Sequence, residues 1–103
     1  MKSHHIATAL VVLLSATPGT AAAADIQAGK TRAAMCANCH GANGEGSGAN
    51  PPLAGMPASR FVQSIKDYRS GKRTHAMMKM LATQMDDKDT EDVAAYYASL
   101  KKN

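Results

Sequence analysis

Apolar side chains recur at helical spacing in two stretches of the second half of the chain. The first apolar stripe is formed by Phe61, Val62, Ile65 and Tyr68. The second is formed by Val93, Tyr96, Tyr97 and Leu100. Such spacing is typical of amphipathic α-helices with one buried side. The sequence therefore predicts two helices, the first between Pro57 and Gly71 and the second beginning at a cap provided by Asp86 or Asp87.

Two shorter helices are predicted from weaker patterns. One runs from Ile26 to about Cys36, and the other from His75 to Thr83. Gly29 lies inside the first, where glycine costs ~1 kcal/mol relative to alanine, so we expect another element to pack closely against it. No segment shows a convincing strand pattern, and the fold class that follows is all-α.

Positions 1–24 have the pattern of a secretory signal peptide. Lys2 lies in a short polar start, an apolar run follows at positions 6–16, and small side chains at 22–24 provide a cleavage pattern. The apolar run is shorter than the ~20 residues that a bilayer-spanning helix needs, and an uncleaved membrane anchor is the alternative. We predict cleavage between Ala24 and Asp25, export to the periplasm, and no stable membrane insertion afterwards.

Residues 36–40 read Cys-Ala-Asn-Cys-His, which is the C-x-x-C-H attachment signal of a c-type haem. Two thiols three positions apart lie on nearly one face of a helical turn and can reach the two vinyl groups on one porphyrin edge. His40 follows at once, so that its ring points at the iron. Cys36 and Cys39 are the only cysteines of the chain. The sequence therefore predicts one covalently bound haem c with His40 as an iron ligand.

Three other uses of these cysteines fit the sequence less well. A redox-active C-x-x-C pair is typical of a βαβ context, and no strand pattern surrounds this one. A structural zinc site needs four N or S ligands, and the mature chain offers only Cys36, Cys39, His40 and His75. A structural disulfide is compatible with an oxidising compartment but leaves His40 unexplained.

The size of the exported chain also favours a large apolar cofactor. Residues 25–103 form one small domain, with one Phe, three Tyr and no Trp. Domains this small bury only ~60% of their surface. A porphyrin would supply the apolar centre that the side chains lack.

Glycine and proline dominate the segment after the haem motif. Four glycines lie between residues 41 and 48, and residues 50–55 read Asn-Pro-Pro-Leu-Ala-Gly. No Gly-Lys-Ser/Thr sequence or preceding strand indicates a phosphate-binding loop. We expect the glycine-rich backbone to run close past the flat cofactor.

The charge is positive and unevenly distributed. The net charge is +4 at pH 7, and loss of Lys2 with the signal leaves +3. One middle stretch holds most of the basic residues: Arg60, Lys66, Arg69, Lys72, Arg73 and Lys79. Nucleic acid is not an expected partner, because an exported protein would not meet it. The stretch is either a docking face for an acidic redox partner or an ordinary solvated helix face.

Methionines are the main candidates for the second iron ligand. Three lie far enough beyond His40 along the chain for the backbone to pass around the haem edge and return on the other side: Met77, Met78 and Met80. Three others are more typical of core packing: Met35, Met56 and Met85. Spacing alone does not separate Met77 from Met78, and His75 is a less favoured ligand that we expect at the surface. Histidine with methionine raises the iron potential, whereas an open site favours gas binding or catalysis.

Together these motifs resemble the class I cytochromes c, in particular the small bacterial mono-haem proteins. The likeness runs from about Gly29 to Leu100. It rests on six segments: residues 36–41, 44–46, 51–55 and 70–73, the Met77-Met78 pair, and residues 87–96. It implies a small class I cytochrome c fold in which three to five helices wrap around one covalent haem.

The resemblance implies roles for five site residues: Cys36, Cys39, His40, Pro51 and Met78. The cysteines form the thioethers, and His40 is the proximal ligand. The Pro51 carbonyl accepts a hydrogen bond from the other ring nitrogen of His40 and fixes the imidazole. In related chains the ligand methionine lies eight residues before the cap of the last helix, which selects Met78 if Asp86 is that cap.

The resemblance also implies that Gly29 and Tyr96 meet where the first and last helices cross. The function it implies is electron transfer rather than enzymatic catalysis. The main prediction is a periplasmic one-electron carrier with His/Met-ligated iron. Its partners would be a donor dehydrogenase and a terminal oxidase or other acceptor.

A narrower likeness gives the alternative function. Residues 55–57, 61–62 and 70–73 are similar to the haem subunit of flavocytochrome c sulfide dehydrogenase. This alternative is a haem-bearing subunit of a dehydrogenase complex, with a flavoprotein subunit as partner. A third function, an enzyme or gas sensor with an open iron site, requires that Met78 does not bind the iron.

Overall fold

The computed structural model describes residues 1–13 and 23–102 of the chain. These residues form five helices: α1 (Ile26–Arg32), α2 (Ala34–His40), α3 (Ala58–Ser70), α4 (Ala76–Gln84) and α5 (Asp87–Ser99). In the same residues, the only β geometry is an isolated bridge between Ser47 and Asn50. The predicted all-α class is therefore confirmed.

The predicted signal segment is covered only in part. Residues 1–13 are exposed and have no regular secondary structure. The end of the apolar run and the break at 18–20 lie outside the described residues. Within the described ranges, no helix has the length and apolar character needed to cross a bilayer. Cleavage before Asp25 stays a prediction.

The first predicted helix is in fact two helices. The prediction of a single helix ending near Cys36 was wrong, because α1 ends before Ala33 and α2 continues to His40. At this point the Cys36 N–H donates to the Ala33 carbonyl, three residues back, at 2.9 Å. Such a bond tightens the turn and redirects the axis. The whole C-x-x-C-H motif consequently lies in one short helix.

Close packing of α1 on α5 explains the glycine inside α1. A Cβ at Gly29 would overlap the Asp92 carbonyl oxygen and lie only 3.0 Å from the Val93 nitrogen. The expectation of a tight helix contact at Gly29 is confirmed. The atoms nearest to Gly29 belong to the backbone of Asp92 and Val93, and a direct contact with Tyr96 stays a prediction.

Replacing Gly29 with alanine is expected to destabilise the protein by about 2–3 kcal/mol, because the new methyl group must push two helix backbones apart. Alanine's better helix propensity returns only ~1 kcal/mol of that cost. Denaturant unfolding of the haem protein measures the change. Lys30→Ala, at an exposed position of the same helix, is the control and should stay within ~0.5 kcal/mol of wild type. Equal stability of Gly29→Ala and wild type would contradict the packing account.

The long helices have the predicted caps. The Asp86 carboxylate accepts the Asp89 N–H at 2.7 Å, and the Asp89 carboxylate accepts the Asp86 N–H at 3.2 Å. Asp86, not Asp87, is therefore the N-cap of α5. Pro57 directly precedes α3, and Gly71 ends it in the left-handed conformation at φ +83°.

Arg69 is part of the fold rather than of an open basic face. Its guanidinium donates to the carbonyls of Ala82 (2.8 Å) and Met85 (2.5 Å) and to the hydroxyl of Thr90 (2.8 Å). It also pairs with Asp87 at 3.1 Å. These bonds tie the end of α3 to the turn between α4 and α5. The other five basic residues of that stretch are exposed.

Tyr97 occupies the centre of the core. It is 1% exposed, and its ring centroid lies 5.9 Å from that of Phe61. A Cβ at Gly44, where φ is +68°, would lie 2.6 Å from the Tyr97 ring. A Cβ at Gly46 would meet the Pro52 nitrogen at 2.9 Å. These glycines are thus required by the core and the proline segment. That the glycine-rich backbone also runs close past the cofactor stays a prediction.

Candidate haem site

A cavity of about 620 Å³ lies among α2, α3, α4 and the segment at 49–53. Its apolar wall is formed by side chains from several elements: Leu53, Phe61, Ile65, Leu81 and Met85. The volume lies within the ~300–1,000 Å³ that is typical of cofactor sites. All five residues of the predicted site line this one cavity.

The two cysteines of α2 differ in their environment. Cys36 is 7% exposed, whereas Cys39 is exposed. Burial raises the pKa of the Cys36 thiol above its ordinary value, and a hydrogen bond with the Tyr97 hydroxyl offsets this only in part. Before haem attachment, Cys36 is therefore a neutral thiol at neutral pH.

His40 is buried and held by the backbone of the proline segment. Its Nδ1 lies 2.7 Å from the Pro51 carbonyl oxygen. A carbonyl can only accept, so Nδ1 carries the proton and Nε2 keeps its lone pair. The Asn50 amide donates to the Cys39 carbonyl at 2.9 Å, and the Gly46 N–H donates to the His40 carbonyl at 2.7 Å. The imidazole is consequently fixed with a metal-binding nitrogen free.

Methionines of α4 line another wall of the cavity. Met78 is half-buried and packs against the core, whereas Met77 is 51% exposed. Met80 is 49% exposed and does not line the cavity. Burial therefore favours Met78, although Met77 also borders the cavity.

His75 lies at the start of α4, where its role is structural. It is exposed, as predicted, and it is the N-cap of the helix. Its Nδ1 accepts the N–H of Met78 at 3.2 Å. Its ring stands edge-on to Tyr68 at a centroid distance of 6.4 Å. His75 thus holds the backbone of Met78 in position.

Sequence reasoning missed several lining residues. Met56 and Met85 pack in the core, as expected for fillers, but they also border the cavity. Three polar side chains of the wall were not anticipated: Arg60, Ser64 and Arg73. The Arg73 guanidinium lies over the Tyr68 ring, 4.6 Å from its centroid. Residues 60 and 64 precede Tyr68 of the apolar stripe at four-residue spacing, and this spacing was the available signal for Arg60 and Ser64.

A haem fits this donor set. Two cysteines and a histidine of α2, methionines of α4 and apolar side chains from several elements line the same cavity. The family model for cytochrome c matches residues 26–101. The chain belongs to the cytochrome c family.

Individual cytochromes c agree with this assignment. The chain is 41% identical to cytochrome c4 of Pseudomonas aeruginosa over 93 residues, which cover 89% of this chain and 46% of that protein. It is 40% identical to cytochrome c-554(548) of Halomonas halodenitrificans, covering 75% of this chain and 98% of that protein. A thiosulfate dehydrogenase electron acceptor of Stutzerimonas stutzeri is 38% identical to the chain, and the match covers 92% of this chain and 47% of that protein.

The fold agrees with a solved cytochrome c structure. Reduced cytochrome c4 from Pseudomonas stutzeri matches with a TM-score of 0.72 and 30% identity over 79% of this chain and 48% of that one. This confirms the predicted class I cytochrome c fold. The chain spans about half the length of the cytochrome c4 relatives and nearly all of cytochrome c-554(548). Membership of the family implies covalently bound haem c.

Proposed function

We propose that this cytochrome c is a periplasmic one-electron carrier with His40 and Met78 as the axial iron ligands. Cys36 and Cys39 are the thioether residues, and Pro51 orients His40. The observation that carries the proposal is the 2.7 Å contact between His40 Nδ1 and the Pro51 carbonyl, on a cavity that the half-buried Met78 also lines.

Haem c supplies an iron that accepts and releases one electron. His40 presents a fixed nitrogen lone pair, and Met78 presents a sulfur that is held by a capped helix. If His40 and Met78 both bound the iron, no iron position would be open for a substrate. His40 is buried and Met78 packs against the core, so both side chains would need little rearrangement when the charge of the site changes.

Export to the periplasm is part of the proposal. It is supported by the signal-like pattern of positions 1–24 and by the attachment of c-type haem on the outer side of the bacterial inner membrane. Redox proteins would dock where Cys39 and Met77 are exposed beside the cavity. Lys72, Arg73 and Lys79 are exposed, lie close to Met77 along the chain and suit an acidic partner.

A second candidate function is a haem-bearing subunit of a dehydrogenase complex. The relative named as a thiosulfate dehydrogenase electron acceptor favours a sulfur-compound dehydrogenase as the electron donor. A flavoprotein of the sulfide dehydrogenase type is the other candidate donor. Terminal oxidases or other carriers are the candidate acceptors.

Native purification separates the two functions. The haem protein is isolated from the periplasm, its mass in solution is measured, and any copurifying chain is identified. If the protein is a carrier, we expect it to be isolated as a free cytochrome without a copurifying chain, and a dehydrogenase should reduce it through transient contacts. A stable complex that resists high salt would contradict the free-carrier proposal and support the subunit. Donors are compared by stopped-flow reduction with thiosulfate dehydrogenase or a flavoprotein dehydrogenase.

His75→Ala is expected to weaken, but not to abolish, the binding of Met78 to the iron. Loss of an N-cap costs ~1 kcal/mol of helix stability, and the freed N–H is that of Met78 itself. The weak ferric absorption band that marks methionine–iron ligation should disappear at a lower temperature than in wild type. His75→Asn, which restores a capping acceptor, should recover the wild-type temperature. If both variants lose the band equally early, capping is not the role of His75.

A further inference from the structure

Asp25 lies directly against the last helix. Its backbone nitrogen donates to the Oδ1 atom of Asp92 at 2.8 Å, and its carboxylate accepts the N–H of Ala28 at 3.0 Å. Asp92 is only 5% exposed. A buried carboxylate requires partners, and here they are the Asp25 nitrogen and the Lys88 ammonium group.

The bond before Asp25 is the predicted cleavage site, and Ala24 and Asp25 are both exposed. Hydrolysis breaks the C–N bond between them. The hydroxyl of water goes to the Ala24 carbonyl carbon, and its proton goes to the Asp25 nitrogen. The resulting amine is protonated at neutral pH because α-amino groups have pKa values of ~7.7–8.0. A neutral amide donor beside Asp92 thus becomes an ammonium donor, which binds carboxylates more strongly.

We propose that cleavage before Asp25 creates a docked N-terminus, in which the new α-ammonium group pairs with the Asp92 carboxylate and fastens α1 to α5. This inference rests on the proposed export and processing. Gly29, one turn later, already packs on the Asp92 backbone, so both contacts secure one interface. The position of the cut matters, since one extra residue moves the amine by up to ~3.8 Å.

Charged side chains from or next to α1 and α5 surround the Asp25 nitrogen. Two carboxylates lie close to it, those of Asp25 and Asp92, and Glu91 immediately precedes Asp92 in α5. Lys88 is the nearby cation, and it lowers the pKa of Asp92, which is therefore ionised at neutral pH. Arg32 of α1 is occupied by Asp89 at 3.1 Å. The surroundings are thus net negative.

Negative surroundings raise the pKa of the α-amino group in the folded protein above its unfolded value of ~8. When the pKa of this amine is higher in the folded than in the unfolded state, its ion pair stabilises the fold fully below pH ~8. This stabilisation is lost as the pH rises through the pKa of the folded state. Lys88, whose own pKa is raised by Asp92, stays charged over this window.

The test compares haem-loaded proteins whose N-termini are established by intact mass. One is the processed wild type, and a second, exported with a different leader, keeps two extra residues before Asp25. Denaturant midpoints are measured at pH 7 and pH 9.5. The wild type is expected to have the higher midpoint at pH 7 and to lose this advantage at pH 9.5. Processed Lys88→Gln should keep the pH dependence, and processed Asp92→Asn should lose it.

Two results would overturn the proposal, and they are distinguishable. A wild-type mass that places the N-terminus away from Asp25 refutes the predicted processing itself. A wild type that begins at Asp25 but has the same midpoints as the extended protein at both pH values refutes the ion pair and leaves the export proposal intact.

Discussion

Met78→Ala is expected to abolish the ferric methionine–iron absorption band and to lower the reduction potential by on the order of 100 mV. The thioether stabilises ferrous iron relative to ferric iron, so its loss favours the oxidised state. Met78 is also the half-buried methionine of α4 that borders the cavity. Absorption spectra of the ferric protein and a redox titration measure both effects.

Met77→Ala is the matched control. It removes a methionine from the adjacent position, which also borders the cavity but is 51% exposed. We expect Met77→Ala to keep the band and to change the potential little. If Met77→Ala loses the band while Met78→Ala keeps it, the assignment of the ligand is displaced by one residue.

Replacing both cysteines, Cys36→Ala with Cys39→Ala, is expected to abolish covalent haem and to leave the chain largely unfolded. Without haem, the apolar side chains that line a cavity of about 620 Å³ face water instead of the porphyrin, so they no longer contribute hydrophobic stabilisation. A small domain has a whole stability of only ~5–15 kcal/mol, and such a loss is large beside it. The side chains of so short a chain, with one Phe and three Tyr, cannot make up this loss.

Haem staining after denaturing electrophoresis and far-UV circular dichroism measure the two effects. The double variant should give no stained band and should lose more than half of the helical signal. Cys39→Ala alone, at the exposed cysteine, keeps one thioether and should remain stained and helical. A folded, helical double variant without haem would contradict the claim that the cofactor completes the core.

The features that the sequence predicted well are those encoded by local chemistry. The apolar stripe and end signals of α3 follow from residues within one or two turns, as does the Asp86 cap of α5. The C-x-x-C-H motif is equally local. A single-residue cap fixes the register of a helix, and Asp86 does so for α5. The choice of Met78 as the iron ligand rests on the resemblance to related chains and stays a prediction.

The features that it missed depend on contacts between distant segments. Ala33 carries no signal for the break between α1 and α2, because alanine favours helix at every position. Arginine is usually a surface residue. Only the approach of the α4–α5 turn gives the Arg69 guanidinium the carbonyls of Ala82 and Met85 as hydrogen-bond acceptors. From the sequence alone, Gly44 indicates only a flexible loop. The structure shows that glycine is required there because the Tyr97 ring packs against it.

Carbon monoxide binding tests the closed iron site most directly. The ferrous wild-type protein is exposed to carbon monoxide, which binds only where an axial position of the iron is free, and its absorption spectrum is recorded. If His40 and Met78 fill both positions, the spectrum stays unchanged, while Met78→Ala shifts at once to that of a carbon monoxide adduct. A rapid shift in the wild type would contradict the account and would indicate an open iron site.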